Sequence, residues 1–386
     1  MKIKLLLIGW LSLMNIYAQK ITISLPKEAG KEYSFTLNQG LRTDTVQKGV
    51  INSVGTITIN IPDNYNGYTG IADLNIADGK PLKLIIHGEN FSADQLGNDE
   101  LEFTNSRENN YLSDVVKGVN VEADTSLYAS RFIDMMRYVQ SLNAILYHNR
   151  GGLYERSNAL IYGVDKLNME DLYTSGLWYY GIDGILKLSG DQENFADNMV
   201  NILKRIKSEA VFEALSKDLV TITEQYGYDD AFDIIIPYIL QSGRIKLPTG
   251  NLYTAFALAK IQKGSIIPEI VGLKKKMEKE KILLVFFQPD CPNCDAQMEK
   301  LMANYPEIEA KNIRIISISA GYDKTEYERD CKRFPWPDNI CDFKGFAGAN
   351  FINYGITSTP TFFLADKDHK LMKRFALVSD IFKYIN

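Results

Sequence analysis

The sequence predicts a multidomain chain in three parts: an N-terminal all-β domain, a central α-helical region and a C-terminal α/β domain. Three observations carry this. Short, alternating, β-branched runs fill the stretch from Lys20 to about Thr104. Apolar spacings of three and four replace them from about Asn105 to Ile245. After Asn251, continuous apolar runs alternate with helical stretches. A chain of 386 residues is also too long for one ordinary core.

The first residues read as an export signal. Lys2 and Lys4 precede the apolar core "LLLIGWLSLM" (Leu5–Met14), and "NIYAQ" supplies the small residue Ala18. The core is shorter than the roughly 20 apolar residues that span a bilayer, so residues 1–18 are expected to be a signal peptide. An uncleaved membrane anchor is the alternative. No Cys stands near the cleavage point, which argues against a lipoprotein anchor. Cleavage would remove two lysines and take the net charge from −5 to about −7. The expected location is the periplasm or cell envelope. No basic block stands out, which argues against a nucleic-acid partner.

In the β part, 20–104, the runs "KITISL", "KEYSFTL", "GTITINI", "GIADLNIA", "PLKLIIHG" and "LEFT" are separated by Gly, Asn, Asp and Pro. Strands at this spacing predict a small antiparallel sandwich or barrel. Its single histidine, His87, reads as structural or superficial. In the helical part, 105–245, the clearest stretches are "SLYASRFIDMMRYVQSLNAILYH", "MEDLYTSGLWYYGIDGILKL", "NFADNMVNILKRIKS" and "DDAFDIIIPYIL". The adjacent Trp178, Tyr179 and Tyr180 read as core packing, with an aromatic groove for a peptide as the alternative.

"QSGRIKLPTG" interrupts the helical pattern and opens the third part, 251–386. The expected order there is strand (Ile282–Phe287), helix (Cys291–Asn304), strand (Ile313–Ser319) and helix (Lys324–Phe334). Strands at "PTFFLAD" and "LMKRFAL" and a terminal helix follow. This order predicts a mainly parallel sheet, and "ILLVFF" suits a strand buried on both faces.

All four cysteines, Cys291, Cys294, Cys331 and Cys341, lie in this last part. A disulfide-stapled scaffold would scatter them more widely, so the clustering points to chemistry. "CPNC" falls where a central strand meets the first turn of a helix. Unpaired N–H groups and the positive dipole end stabilise an anion there, so a thiol at that point is expected to be a competent nucleophile. Pro292 suits the first turn, where its missing N–H costs nothing. Haem attachment needs His after the second Cys, and that residue is Asp295. Structural zinc needs four ligands, and neither Cys331 nor Cys341 belongs to a second CxxC. No metal or cofactor is expected.

"VFFQPDCPNC", the strand "IRIISIS" and "YGITSTPTFFLADKDHKL" together resemble the thioredoxin superfamily, and within it the exported TlpA/ResA-like thiol–disulfide oxidoreductases. Two distant motifs agree, CxxC and Thr-Pro-Thr. The stretch from Cys294 to Pro360 also suits the central insertion of that branch. The preceding β and helical regions look like the extension often fused to this domain in Bacteroidetes proteins. The resemblance implies a thioredoxin-like fold for 251–386. It implies Cys291 as attacking thiol, Cys294 as resolving thiol, and Thr359-Pro360 as a cis-proline loop that meets the substrate. A redox-active Cys291–Cys294 disulfide is implied, and so is a membrane thiol-electron transporter as partner.

Three positions depart from the family. Val285 stands where thioredoxins carry a buried acid, Asp290 where many relatives carry Trp, and Gln297 where ResA-like proteins carry an acid. The proton acceptor for Cys294 is thus unidentified. Asp290 would either oppose the Cys291 thiolate by repulsion or cap the helix. Cys331 and Cys341 are expected to approach and pair, as a structural or secondary redox bridge. The expected function is disulfide exchange with protein substrates. The alternative is a cell-envelope binding protein whose CxxC domain is vestigial or senses redox state.

Overall fold

The computed structural model describes residues 19–77, 79–96, 100–148, 150–259, 261–278 and 280–386. The export signal expected at 1–18 lies outside them. The chain divides into two compact units, Met1–Leu188 and Ser189–Asn386. That division falls within the helical region. None of the described helices is long and apolar enough to cross a membrane.

The first unit opens with eight strands: β1 (Lys20–Ser24), β2 (Glu32–Gln39), β3 (Arg42–Val50), β4 (Thr56–Asn60), β5 (Thr69–Ile76), β6 (Leu82–His87), β7 (Phe91–Gln95) and β8 (Leu101–Thr104). They form two four-stranded sheets, ordered β4-β1-β7-β8 and β3-β2-β5-β6. Alternation sends Ile21, Ile23, Ile57 and Ile59 of one sheet and Phe35, Leu37, Leu74 and Leu84 of the other into one core, which makes a sandwich. Pairing is antiparallel except where β1 runs parallel to β7. Two of these strands escape sequence reading. β3 is a polar edge strand with no buried residue, and β7 is only five residues long.

Five α-helices complete this unit: α1 (Arg107–Val116), α2 (Tyr128–Tyr147), α3 (Leu153–Ile161), α4 (Met169–Tyr173) and α5 (Trp178–Ser189). The stretch expected as one helix from Met169 is two, with Gly176 at φ +73° between them. Buried Glu108 of α1 accepts hydrogen bonds from the N–H groups of Tyr128 (3.0 Å) and Ala129 (2.7 Å), capping α2, and it pairs with His87 Nδ1. His87 is thereby part of the framework. Trp178 is buried, whereas Tyr179 and Tyr180 are exposed, so the core reading holds for the first of the three.

The second unit begins with α6 (Gln192–Arg205), α7 (Glu209–Tyr226), α8 (Asp229–Ser242) and α9 (Asn251–Leu258). Then follow β9 (Lys281–Phe287), α10 (Pro292–Ala303), α11 (Tyr305–Ala310), β10 (Ile313–Ser319), α12 (Lys324–Cys331), β11 (Asp338–Ile340), α13 (Ala349–Asn353), β12 (Thr361–Ala365), β13 (Leu371–Phe375) and α14 (Val378–Ile385). The five strands are ordered β11-β10-β9-β12-β13. The expected mainly parallel sheet is mixed: β9, β10 and β11 run parallel, and β12 and β13 are antiparallel to their neighbours. The short link between β12 and β13 (Asp366–Lys370) leaves no room for a crossover helix.

β9 is central, and its side chains alternate between two cores. Ile282, Leu284 and Phe286 pack on one face with Phe351 and Tyr354. Leu283, Val285 and Phe287 pack on the other with Cys294, Met298 and Ile381. Burial on both faces explains the unbroken apolar run. The helical α8 also joins this unit through β13. Arg374, 8 % exposed, lays its guanidinium 4.2 Å from the centre of the Phe232 ring. The same group stands 3.6 Å from Asp233 and 3.9 Å from Asp229. Lys373 pairs with Asp230 at 2.8 Å.

Candidate active site

The CPNC turn is built by the end of β9. After Phe287 the chain leaves the sheet through Gln288 and buried Pro289, and Asp290 turns it at φ +54°. Cys291 then takes extended backbone angles (φ −107°, ψ 108°) as the N-cap of α10, and Pro292 follows in the first turn. The Asp290 capping reading is corrected here: the cap is Cys291 itself. Its Sγ accepts a hydrogen bond from the Cys294 N–H at 3.4 Å. Asp290 is exposed and lies 3.6 Å from Arg329 of α12.

The two thiols have unequal surroundings. Cys291 is half-buried, and Cys294, one turn inside the helix, is 1 % exposed. Burial first, and the hydrogen bond with Cys291 second, push the Cys294 thiol up to about 11. The Thr359 hydroxyl and the backbone of Gln288 hydrogen-bond to it and pull the other way.

Thr359 reaches this point because β12 pairs antiparallel with β9. Thr361 stands opposite Phe286, so the residues just before β12 lie beside those just after β9. The Thr359-Pro360 peptide bond is cis. Pro360 is buried and Thr359 half-buried. The structure thus brings Cys291, Cys294 and the Thr359-Pro360 loop together.

The remaining predicted positions fall as follows. Val285 is fully buried among apolar side chains. Gln297 is buried, and its Oε1 accepts a hydrogen bond from the Val378 N–H at 2.9 Å, which ties α10 to the start of α14. It is a framework contact, at the position where the family resemblance implied an acid. Cys331 and Cys341 are both half-buried thiols at the end of α12 and just after β11. The contact of Thr359 with Cys294 and the Asp290–Arg329 pair were not foreseen. Arg329 lies in a charged helix whose pattern gives no cue to its partner. Among the described residues, no cluster of His, Cys, Asp and Glu could hold a metal ion.

A strand that ends in CxxC at a helix N-terminus, beside a cis-proline loop on the neighbouring strand, is the arrangement the family resemblance implied. A family model described as thioredoxin-like matches residues 279–371. The C-terminal domain is thioredoxin-like. It is similar to the TlpA/ResA-like proteins. The thiol-disulfide oxidoreductase ResA of Bacillus thuringiensis subsp. konkukian is 25 % identical over 111 residues, 28 % of this chain and 63 % of that protein. The chain therefore spans under two thirds of this relative's length. Among solved structures, a thioredoxin-like protein from Bacteroides caccae is 17 % identical, covers 60 % of this chain and 92 % of its own, and has a TM-score of 0.41. The thioredoxin domain of a thiol-disulfide oxidoreductase from Bacteroides vulgatus is 19 % identical and covers 32 % of this chain and 98 % of its own, with a TM-score of 0.28.

Proposed function

We propose that this chain is an exported thiol–disulfide oxidoreductase that exchanges disulfides with protein substrates through Cys291 and Cys294. The observation that carries the reading is the asymmetry of the turn. One half-buried sulfur caps the helix, and a buried sulfur sits behind it against Thr359.

The Cys291 thiolate attacks one sulfur of a substrate disulfide. A Cys291–substrate bond forms and the other substrate sulfur leaves as a thiolate. The Cys294 N–H and the positive end of α10 stabilise negative charge on Cys291 whenever it carries it. Cys294 must then lose its proton, which its burial resists. The departing substrate thiolate is a base formed at the site and takes that proton. Cys294 attacks Cys291 Sγ, the second substrate sulfur leaves, and the Cys291–Cys294 disulfide remains. Two enzyme thiols are oxidised, and one substrate disulfide is reduced to two thiols. The Thr359-Pro360 loop positions the substrate backbone, as the family resemblance implies. A membrane thiol-electron transporter would re-reduce the pair.

Export rests on the sequence of residues 1–18. The assay that tests the chemistry is reduction of insulin by the full chain with a dithiol as electron source. Turnover that Cys291→Ser abolishes is expected. Turnover no faster than the dithiol alone would leave the binding-protein reading in its place.

A further inference from the structure

We propose that Cys331 and Cys341 form a second, reversible dithiol pair, closed by exchange with a small disulfide, whose closure alters the reactivity of Cys291. The link to Cys291 rests on the function proposed above; the pairing does not.

Geometry brings the two thiols to one place. Cys331 ends α12, and Tyr327 lies one turn earlier on the same helix face. The Tyr327 hydroxyl hydrogen-bonds to the Cys331 sulfur. The Tyr327 ring packs edge-on against Phe343, with centroids 5.7 Å apart, and Phe343 is two residues beyond Cys341. The α12 face that carries Cys331 therefore lies over the segment that carries Cys341. Each sulfur is within electrostatic range of the other and of Tyr327. Cys341 Sγ donates to the Gly321 carbonyl oxygen at 3.5 Å.

One segment reaches the residues just before Cys291 directly, and the other through Gly321. Gly321 lies between Cys341 and Pro289: a methyl group on its Cα would stand 3.3 Å from Pro289 Cγ and 3.8 Å from Cys341 Sγ. From the other segment, Arg329 of α12 reaches Asp290 at 3.6 Å. Closing a bond between Cys331 and Cys341 would shift the end of α12 against the segment after β11, and with them the two groups that stand next to Pro289 and Asp290.

The exchange balances as follows. Tyr327 stays protonated, since its burial opposes ionisation, and it donates to a Cys331 thiolate. That thiolate attacks a small disulfide, bonds to one of its sulfurs and expels the other as a thiolate. The Cys341 thiolate then attacks Cys331 Sγ and expels the second. The two expelled thiolates take up the two protons lost by the cysteines. Burial pushes the Cys331 thiol up to about 11, so closure is slow near neutral pH and speeds up as pH rises.

The test uses the full chain and oxidised glutathione. Each reaction is quenched in acid, alkylated and digested with trypsin. In the Cys291→Ser/Cys294→Ser chain, a disulfide between the peptides Asp330–Lys332 and Phe334–Lys344 is expected, forming more slowly in the further Tyr327→Phe variant. In the wild-type chain, the Cys291–Cys294 bond is then reopened with one equivalent of a phosphine, and Cys291 alkylation is timed. A several-fold change in that rate relative to the fully reduced chain is expected. Failure to find the linked peptides at any glutathione ratio overturns the pairing. Linked peptides with an unchanged Cys291 rate overturn the coupling. Neither result bears on insulin reduction, which is measured separately.

Discussion

Replacing Cys291 by Ser leaves Cys294 as the one thiol of the CPNC turn, and its alkylation should report its burial. The serine hydroxyl can still accept from the Cys294 N–H, so the cap of α10 is kept. Burial is the main cause that lifts the Cys294 thiol to about 11 from an ordinary value of 9.0, and burial survives the substitution. The contribution of Cys291 is lost with the substitution, so the Cys294 thiol should stay above 9.0 but below its value in the unsubstituted chain, and alkylation near pH 8 should be slower than that of an ordinary thiol by up to roughly 100-fold. At 1 % exposure, restricted access slows it further. The assay is timed iodoacetamide labelling of the full-length variant, quenched in acid and quantified on the tryptic peptide Ile282–Lys300. The rate should climb about tenfold per pH unit up to about pH 9. A rate within a few-fold of free cysteine near pH 8, or a plateau below about pH 9, would refute the assignment of a buried, protonated Cys294.

Arg374→Met should take a buried cation from the half-buried carboxylate of Asp229 and the exposed one of Asp233, and strip Phe232 of its guanidinium, read as a lower urea midpoint. Burial, outweighing the attraction of Arg374, raises Asp229 from 3.8 to about 6. The protonated folded form is thus favoured, and its stabilisation is present below 3.8 and lost as pH rises through 6. Asp229→Asn should therefore flatten the fall in stability across that window in urea titrations. Gln297→Leu should strip the Val378 N–H of its acceptor at the start of α14 and cost about 1–3 kcal/mol, while Cys291 alkylates at its former rate. A fragment of residues 251–386 should melt below one of residues 189–386, because Arg374 loses Phe232 and its acids, yet both should label Cys291 alike.

The sequence was most legible where burial is two-sided or where one residue type does one job. "ILLVFF" is a central strand because both of its faces are covered, and the thiols of CPNC announce a helix start. Edge and short strands were not legible. β3 offers "RTDTVQKGV", whose pairing comes from β2 and not from any apolar face of its own. The antiparallel β12 and β13 could not be told from parallel strands by composition. At the site, the two cysteines and the Thr359-Pro360 loop could be named in advance. What Thr359 and Gln297 touch could not, since both contacts join elements far apart in the chain. Capping was one of two roles open to Asp290 in the sequence, and the structure has Asp290 at positive φ with Cys291 as the cap.

Trapping with full-length Cys294→Ser tests the central claim most directly. An envelope extract from the source cells is incubated with this variant and separated without reductant. Attack without resolution should leave thiol-sensitive adducts on Cys291, identified by mass spectrometry, and Cys291→Ser should yield none. Equal adducts from both variants, or none from either while insulin reduction persists, would contradict the division of labour between the two sulfurs.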